Sequence, residues 1–368
     1  MRRPAAGDAC IRENMRRHLS RRRFLTSTAA GLFATAGAAP LRAQTAVHPP
    51  PKYKPDEYSV TAPVSIEVNA RPLASFSRDR SQVRFGSLEY RSGLILTSKF
   101  RGFGGLSGLR LDAKGERFIA ISDKGAWFTG RIAYRGKEMT GLEDVEASPM
   151  LGPDGMPITA RGWFDSEALA LDGSLVYVGL ERVNRILRYD FAKGFTRAHG
   201  EVVPLPPAAR KLPYNRGIEA LIAVPKGQPL AGTLIAISER GLDVAGNILG
   251  FLIGGKASGQ FSVKRSEDFD VSDAALLPSG ELLLLERKFS WLGGVGIRIR
   301  RIAQKSIAPG AVIDGPTIFS ADLGQEIDNM EGIDAHVTAE GETIITMVSD
   351  DNFSMIQRNL LLQFVLVE

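Results

Sequence analysis

Beyond residue 60 the chain is written in short apolar runs separated by Gly-, Pro- and Asp-containing turns. No stretch of it keeps a 3.6-residue apolar stripe over a dozen positions. Runs of this kind predict β-strands rather than helices. Five segments repeat one pattern: "GLSGLRLDAKGERFIAISDKG" from 105, "DSEALALDGSLVYVGLERVN" from 165, "GIEALIAVPKGQPLAGTLIAISERG" from 217, "VSDAALLPSGELLLLERKF" from 271 and "NMEGIDAHVTAEGETIITMVSDDN" from 329. Each begins with a polar or acidic residue ahead of a small-apolar strand and turns through a glycine. A run of Ile, Leu and Val then leads to a second acid.

The leading residues are Ser107, Glu167, Glu219, Asp273 and Glu331, at separations of 60, 52, 54 and 58. Four strands with their turns fill about 40–50 residues, the size of a propeller blade. The fold class expected is therefore all-β, a β-propeller spanning residues 61–368. Five copies plus residues 61–104 predict six blades. The terminal run "RNLLLQFVLVE" is expected to pair with "PVSIEV" (63–68) and shut the ring, since an open propeller leaves a sheet edge unpaired. A two-domain β-sandwich accounts for the strands but not for their period.

In a propeller the first strand of each blade lines the central channel, so the five leading residues are expected near one axis. Converging carboxylates suit a hard cation, and calcium accepts six to eight oxygen ligands of mixed kind. The expected calcium ligands are Glu167, Glu219, Asp273, Glu331 and Asp350. A second set, Asp123, Glu181, Glu239, Glu286 and Asp350, closes the neighbouring strand. Its first four members are followed at once by Lys124, Arg182, Arg240 and Arg287. These acid–base dyads read most simply as ties between blades. The last repeat is the richest, with Asp328, Glu331, Asp334 and His336 followed by Asp350, Asp351 and Asn352. Glu331, His336 and Asp350 are the candidates for general acid–base work there. Arg101, Arg216 and Arg240 are candidates to hold an anionic substrate.

The start of the chain changes how its charge is read. "SRRRFLT" (20–26), a short apolar run and "PLRAQ" have the order of a secretory signal, and the paired arginines before Phe-Leu resemble a twin-arginine (Tat) signal. Cleavage is expected after Ala43, with Met15 an alternative initiator, and the Pro-rich residues 44–60 are expected to form a tether. The whole chain carries +5, but residues 1–43 hold nine Arg and two acids, or +7, so the remainder is −2 (37 basic, 39 acidic). A near-neutral mature chain argues against a nucleic-acid partner. The one cysteine, Cys10, precedes the cut, which removes disulfides, thiolate metal sites and a Cys nucleophile. The mature protein is expected to be a periplasmic or secreted monomer, delivered by the Tat translocase and without a membrane span.

The motifs "GFGGLSGL", "DSEALAL", "NRGIEAL", "GELLLLERKF" and "MEGID…SDDNFSMIQRNLLLQF" resemble the phytase-like family over about residues 84–368. The resemblance implies an exported β-propeller. A phosphoester-hydrolysing role is implied mainly by the family's description and by distant likeness to calcium-dependent propeller phytases. No catalytic residue set is carried over from it. The chain lacks Arg-His-Gly-x-Arg-x-Pro and Gly-x-Ser-x-Gly, so neither a phosphohistidine phosphatase nor an α/β-hydrolase esterase is expected. Metal-assisted hydrolysis of a small anionic or ester substrate is the expected activity. A non-catalytic binding propeller and a lactonase-type propeller are the alternatives.

Overall fold

A computed structural model describes residues 55–290 and 294–367. The leader (1–43), Cys10, Met15 and the tether up to residue 54 lie outside the described residues. No helix among the described residues is long and apolar enough to cross a membrane.

The strands form five sheets arranged as a propeller. The inner strands are Leu106–Leu111, Ser166–Asp172, Ile218–Ala223, Asp270–Leu276 and Asn329–Val337. Each lies against the inner strand of the next sheet, and the last lies against the first. From each, an antiparallel meander runs outwards. The expected sixth blade is absent because residues 61–104 are shared between two others. Val64–Ser65 pairs with the outer strand of the first sheet, Val64 opposite Ala147. Val68–Pro72 and Leu88–Ser98 join the last sheet, where Leu88–Ser98 pairs with Asn359–Leu366. The terminal run thus meets 88–98 rather than 63–68, and among the described residues no ladder of hydrogen bonds joins one sheet to the next. The physical reason lies in the composition of 61–104: only "GLILTS" is apolar for a full strand, and the charged and polar residues 78–82, "RDRSQ", stay exposed.

Apolar layers between the sheets hold the ring. Trp127 of the first blade meets Tyr189 of the second edge-on, centroids 5.0 Å apart. Phe76, Phe319 and Phe364 fill the space between the fourth and fifth. Each such fully buried aromatic contributes roughly 1.5–3 kcal/mol relative to exposure. Residues 55–60 are also held. Val60 is buried and Tyr58 rests on Phe353 at 4.7 Å, so the end of the expected tether packs on the propeller.

One irregularity recurs in every blade. The inner strand carries a β-bulge against its neighbour, and the extra residue is Ser107, Glu167, Glu219, Ser272 or Glu331. A bulge inserts one residue and re-aims its side chain, which is how strands present groups at binding sites. Four of these five are leading residues of the sequence repeat. In the fourth blade the repeat as aligned above is off by one, because the bulge falls on Ser272, not Asp273. The second set slips with it. Asp123, Glu181 and Glu239 donate their backbone N–H to Gly105, Asp165 and Gly217, and Asp350 pairs with Asn329. The residue pairing with Asp270 is Arg287, not Glu286. Since strand side chains alternate, a slip of one sends both residues to the other face.

Candidate functional site

Halfway along the axis the channel is filled by a charged knot. Arg110 leaves the first inner strand and meets Asp273 of the fourth bidentately, Nη1 to Oδ2 at 2.8 Å and Nη2 to Oδ1 at 2.9 Å. It also donates to the carbonyls of Ile333, Ala274 and Leu221 at 3.0, 3.1 and 3.3 Å. The Ile333 N–H donates to Asp273 Oδ2 at 2.9 Å, and the Leu111 N–H to Asp334 Oδ2 at 2.6 Å. Both Arg110 and Asp273 are buried. Burial raises the Asp273 pKa, and Arg110 opposes it. With its oxygens spent on a guanidinium and a backbone amide, Asp273 is not one of the cation ligands expected from the sequence. Together with Arg110 it ties four blades at the axis. Glu286 is likewise structural, buried between Arg298 (2.8 Å) and Arg300 (2.6 Å) of its own blade.

The end of the channel nearest the bulges is different. Asp123, Asp165, Glu167, Glu181, Glu219, Glu239 and Asp350 gather there, close enough to perturb one another's titration. Glu181, Glu219 and Glu239 each offer an oxygen within 4.8 Å of the other two. Glu181 reaches the group from the end of strand Leu175–Leu180, and its Oε1 accepts from the Gly217 N–H at 2.9 Å. Glu219 is the bulged residue of the third blade. It is 4 % exposed, and among the described residues its buried Oε2 has no hydrogen-bond partner. Glu239 is more open, with its side chain 12 % exposed.

These groups resist ionisation. Burial pushes Glu181 up to about 7, with Glu239 and Asp165 adding to it. Asp350 also rises to about 7, from burial and then from Asp123 and Asp351, against the Asn352 N–H and Arg287. Asp123 rises to about 6, mainly through burial. Glu167 and Glu219 are held well above the carboxylate range by burial and then by neighbouring acids. Like charges this close require protons or a cation between them.

Arg287, on the slipped position of the fourth blade, faces the glutamates of this group, while Lys124 and Arg182 act on Asp123 and Asp165. Arg287 contacts Glu331, Glu239 (3.5 Å) and Asn329 Oδ1 (2.8 Å). Glu331 is therefore occupied by Arg287 and by the Asn329 amide at 2.8 Å, beside the three glutamates rather than among them. Beside the ring a cleft of about 850 Å³ opens over blades three to five. Arg240 lines it, paired with Asp270 at 3.2 Å. Arg216 is exposed three residues before Glu219. Arg101 is 69 % exposed and pairs with Glu57. His336 is placed away from the acids. Five residues along the strand from Glu331, roughly 16 Å, it is buried against the Gly115 turn with Nδ1 unpartnered. Burial and then Arg91 lower its pKa. A strand carries its side chains along its length, so the acid-rich sequence around His336 spreads over both ends of the channel.

Two motifs fit each other across the junction of the last and first blades. Asp351 Oδ1 accepts from the N–H groups of Gly105 (3.0 Å) and Phe353 (3.1 Å), and Oδ2 from Asn359 (2.8 Å). Gly105 has φ +59°, and a Cβ there would lie 2.3 Å from Asp123 Oδ1 and 2.5 Å from the Phe353 ring. Only glycine serves at that position.

Comparisons with known proteins bear on the family. No curated protein matches the chain. Solved structures that resemble it include glutaminyl cyclase of Myxococcus xanthus, 12 % identical over 72 % of this chain and 92 % of that one, TM-score 0.38. A PQQ-bound aldose sugar dehydrogenase from Streptomyces coelicolor is 12 % identical over 82 % and 98 %, TM-score 0.38. A nidogen/laminin complex is 9 % identical over 75 % and 94 %, TM-score 0.36. A family model described as "Esterase-like activity of phytase" matches residues 101–353, more than half of the chain, and the chain belongs to the phytase-like family.

Proposed function

We propose that the acidic mouth binds calcium through Glu181, Glu219 and Glu239, and that the protein hydrolyses a phosphoester or carboxylester there. The donor set fits the ion: hard oxygens, no thiol and no imidazole, with room in a mixed shell for carbonyl and water ligands. The observation that carries the reading is Glu219 Oε2, buried, unpartnered and among like charges. A protein gains nothing from such an atom unless something is accepted there. When bound, the ion would polarise a substrate oxygen.

The chain's own groups do the rest. Asp350 and Asp123, with pKa values of about 7 and 6, can take up or release a proton near neutrality. Arg287 presents a guanidinium to an anionic oxygen at the ring's edge. Export by the Tat route would place this chemistry in the periplasm or outside the cell.

The test uses the mature protein. Terbium luminescence or calorimetry is expected to report a site that is lost in Glu219→Gln. Hydrolysis of p-nitrophenyl phosphate or p-nitrophenyl acetate is expected to stop in EDTA and return with calcium. Full turnover in EDTA sinks the scheme. A binding propeller without chemistry is the second reading, favoured by the commitment of the dyad bases to structural pairs: Lys124 with Asp56 at 3.6 Å, Arg182 with Asp165 at 3.2 Å and Arg240 with Asp270 at 3.2 Å. Metal binding with no turnover of either ester or of a lactone would select it.

A further inference from the structure

The cleft beside the mouth has the volume of a small-molecule site, and its charges cancel. Arg240, Arg265, Arg287 and Lys288 stand against Glu239, Asp268, Asp270 and Asp328, four and four. Three of the bases are already committed. Arg265 pairs with Asp268 at 3.1 Å and Asp270 at 2.9 Å, Arg240 with Asp270, and Arg287 with Glu239 and Glu331. Lys288 is the exception. Its Nζ lies over the Phe269 ring at 4.5 Å, and among the described residues it meets no carboxylate within ion-pair distance. The rim is apolar, with Ile356 91 % and Phe289 67 % exposed on the cleft's walls and Val295 beside them.

We propose that the cleft takes an amphiphilic anion with a single head, a carboxylate or a phosphate, on an apolar acyl or aryl body. The head is held by Lys288 with Arg287 behind it, and the body lies against Ile356 and Val295. A polyanion is disfavoured because a cleft of zero net charge offers no field to offset its repulsion. A neutral apolar molecule leaves the Lys288 ammonium without an anion. That the bound molecule is the substrate rests on the mouth being the reaction centre; that the cleft binds it does not.

Binding is therefore measured by calorimetry on the mature protein in EDTA, with octanoate, octyl phosphate, octyl glucoside and inositol hexakisphosphate. One of the two octyl anions is expected to bind, and their ratio distinguishes a carboxylate from a phosphate head. Lys288→Met is expected to weaken that ligand about tenfold, the worth of one charge-assisted hydrogen bond. Ile356→Ser is expected to weaken it by a smaller factor. Inositol hexakisphosphate and octyl glucoside are each expected to bind at least about tenfold more weakly than the better octyl anion. The proposal is overturned if neither octyl anion binds, if Lys288→Met changes nothing, or if inositol hexakisphosphate or octyl glucoside matches the better octyl anion. With the chelator present, such a failure leaves the metal reading standing. A failed terbium titration leaves this one standing.

Discussion

Two charged clusters share the channel, one on the inner strands and one gathered from those strands and the ends of their neighbours, and they are built on opposite terms. At the knot one guanidinium faces one carboxylate, and the donors of Arg110 point at Asp273 or at carbonyls. At the mouth seven carboxylates outnumber the bases Arg287, Arg182 and Lys124, several of them are held protonated towards neutrality, and among the described residues a buried oxygen of Glu219 is left without a partner. Burial is common to both, so burial does not separate scaffold from site. The balance of charge does. A matched buried pair needs nothing further, whereas a surplus of one sign is stable only with protons or with a guest ion.

The largest effect expected is at the knot. Arg110→Met leaves Asp273 buried without its counter-charge, and urea unfolding should show a loss of about 3–5 kcal/mol. Arg110→Met with Asp273→Leu should recover most of it, since two apolar groups leave no stranded charge. A single variant costing under about 1 kcal/mol would erase the distinction between the two clusters. The mouth should instead respond to pH. Asp350 moves from an ordinary 3.8 to about 7, so the folded protein binds a proton that the unfolded chain has released. Stability from this group is complete below pH 4 and is lost as pH rises through 7. At about 1.4 kcal/mol per unit, metal-free protein should lose about 2–4 kcal/mol between pH 4.5 and 7.5. Glu181, near 7, acts in the same direction and is coupled to its neighbours rather than additive. Melting in EDTA across that window checks the sign, and calcium should flatten the curve. A metal-free protein more stable at pH 7.5 than at 4.5 would contradict it.

Glu219→Gln should do less, and in an unusual direction. Removing one of the crowded acids relieves repulsion, so the metal-free protein should gain about 1 kcal/mol at pH 7 while losing its calcium-dependent rise in Tm. A variant that is both less stable and still calcium-responsive would place Glu219 with the scaffold.

How far the sequence could be read follows from the geometry of strands. The acid-led hairpins and their spacing are written plainly, because apolar runs and glycine turns are local signals, and they locate Glu167 and Glu219 at the mouth. The bulge is not a local signal. In "VSDAALL" it falls on the serine, so aligning acid with acid chose Asp273 and Glu286 where the backbone aligns Ser272 and Arg287. That single step concealed the base facing the acids. The knot had a visible sign, a lone Arg110 inside the apolar run "LSGLRL", but its partner lies 163 residues away. The sixth blade failed for a different reason. Residues 61–104 hold strands, but these pair with two sheets that other parts of the chain begin.

The smallest effect separates cations by what surrounds them. Arg101 and Arg287 are both bases beside a glutamate, and only the first was singled out from sequence as a substrate contact. Arg101 is 69 % exposed and its partner Glu57 51 % exposed. A solvent-facing pair of this kind contributes at most about 0.5 kcal/mol. Arg101→Ala should therefore leave unfolding, terbium binding and octyl-anion binding within error of the parent. Arg287→Gln removes the base facing Glu239 and Glu331, and should raise the pH at which the mouth gives up its protons, since Arg287 lowers the pKa of Asp350 and Glu219. If instead Arg101→Ala shifts ligand binding and Arg287→Gln does not, the anionic head lies towards the first blade, and the balance of charge at the fourth has no bearing on recognition.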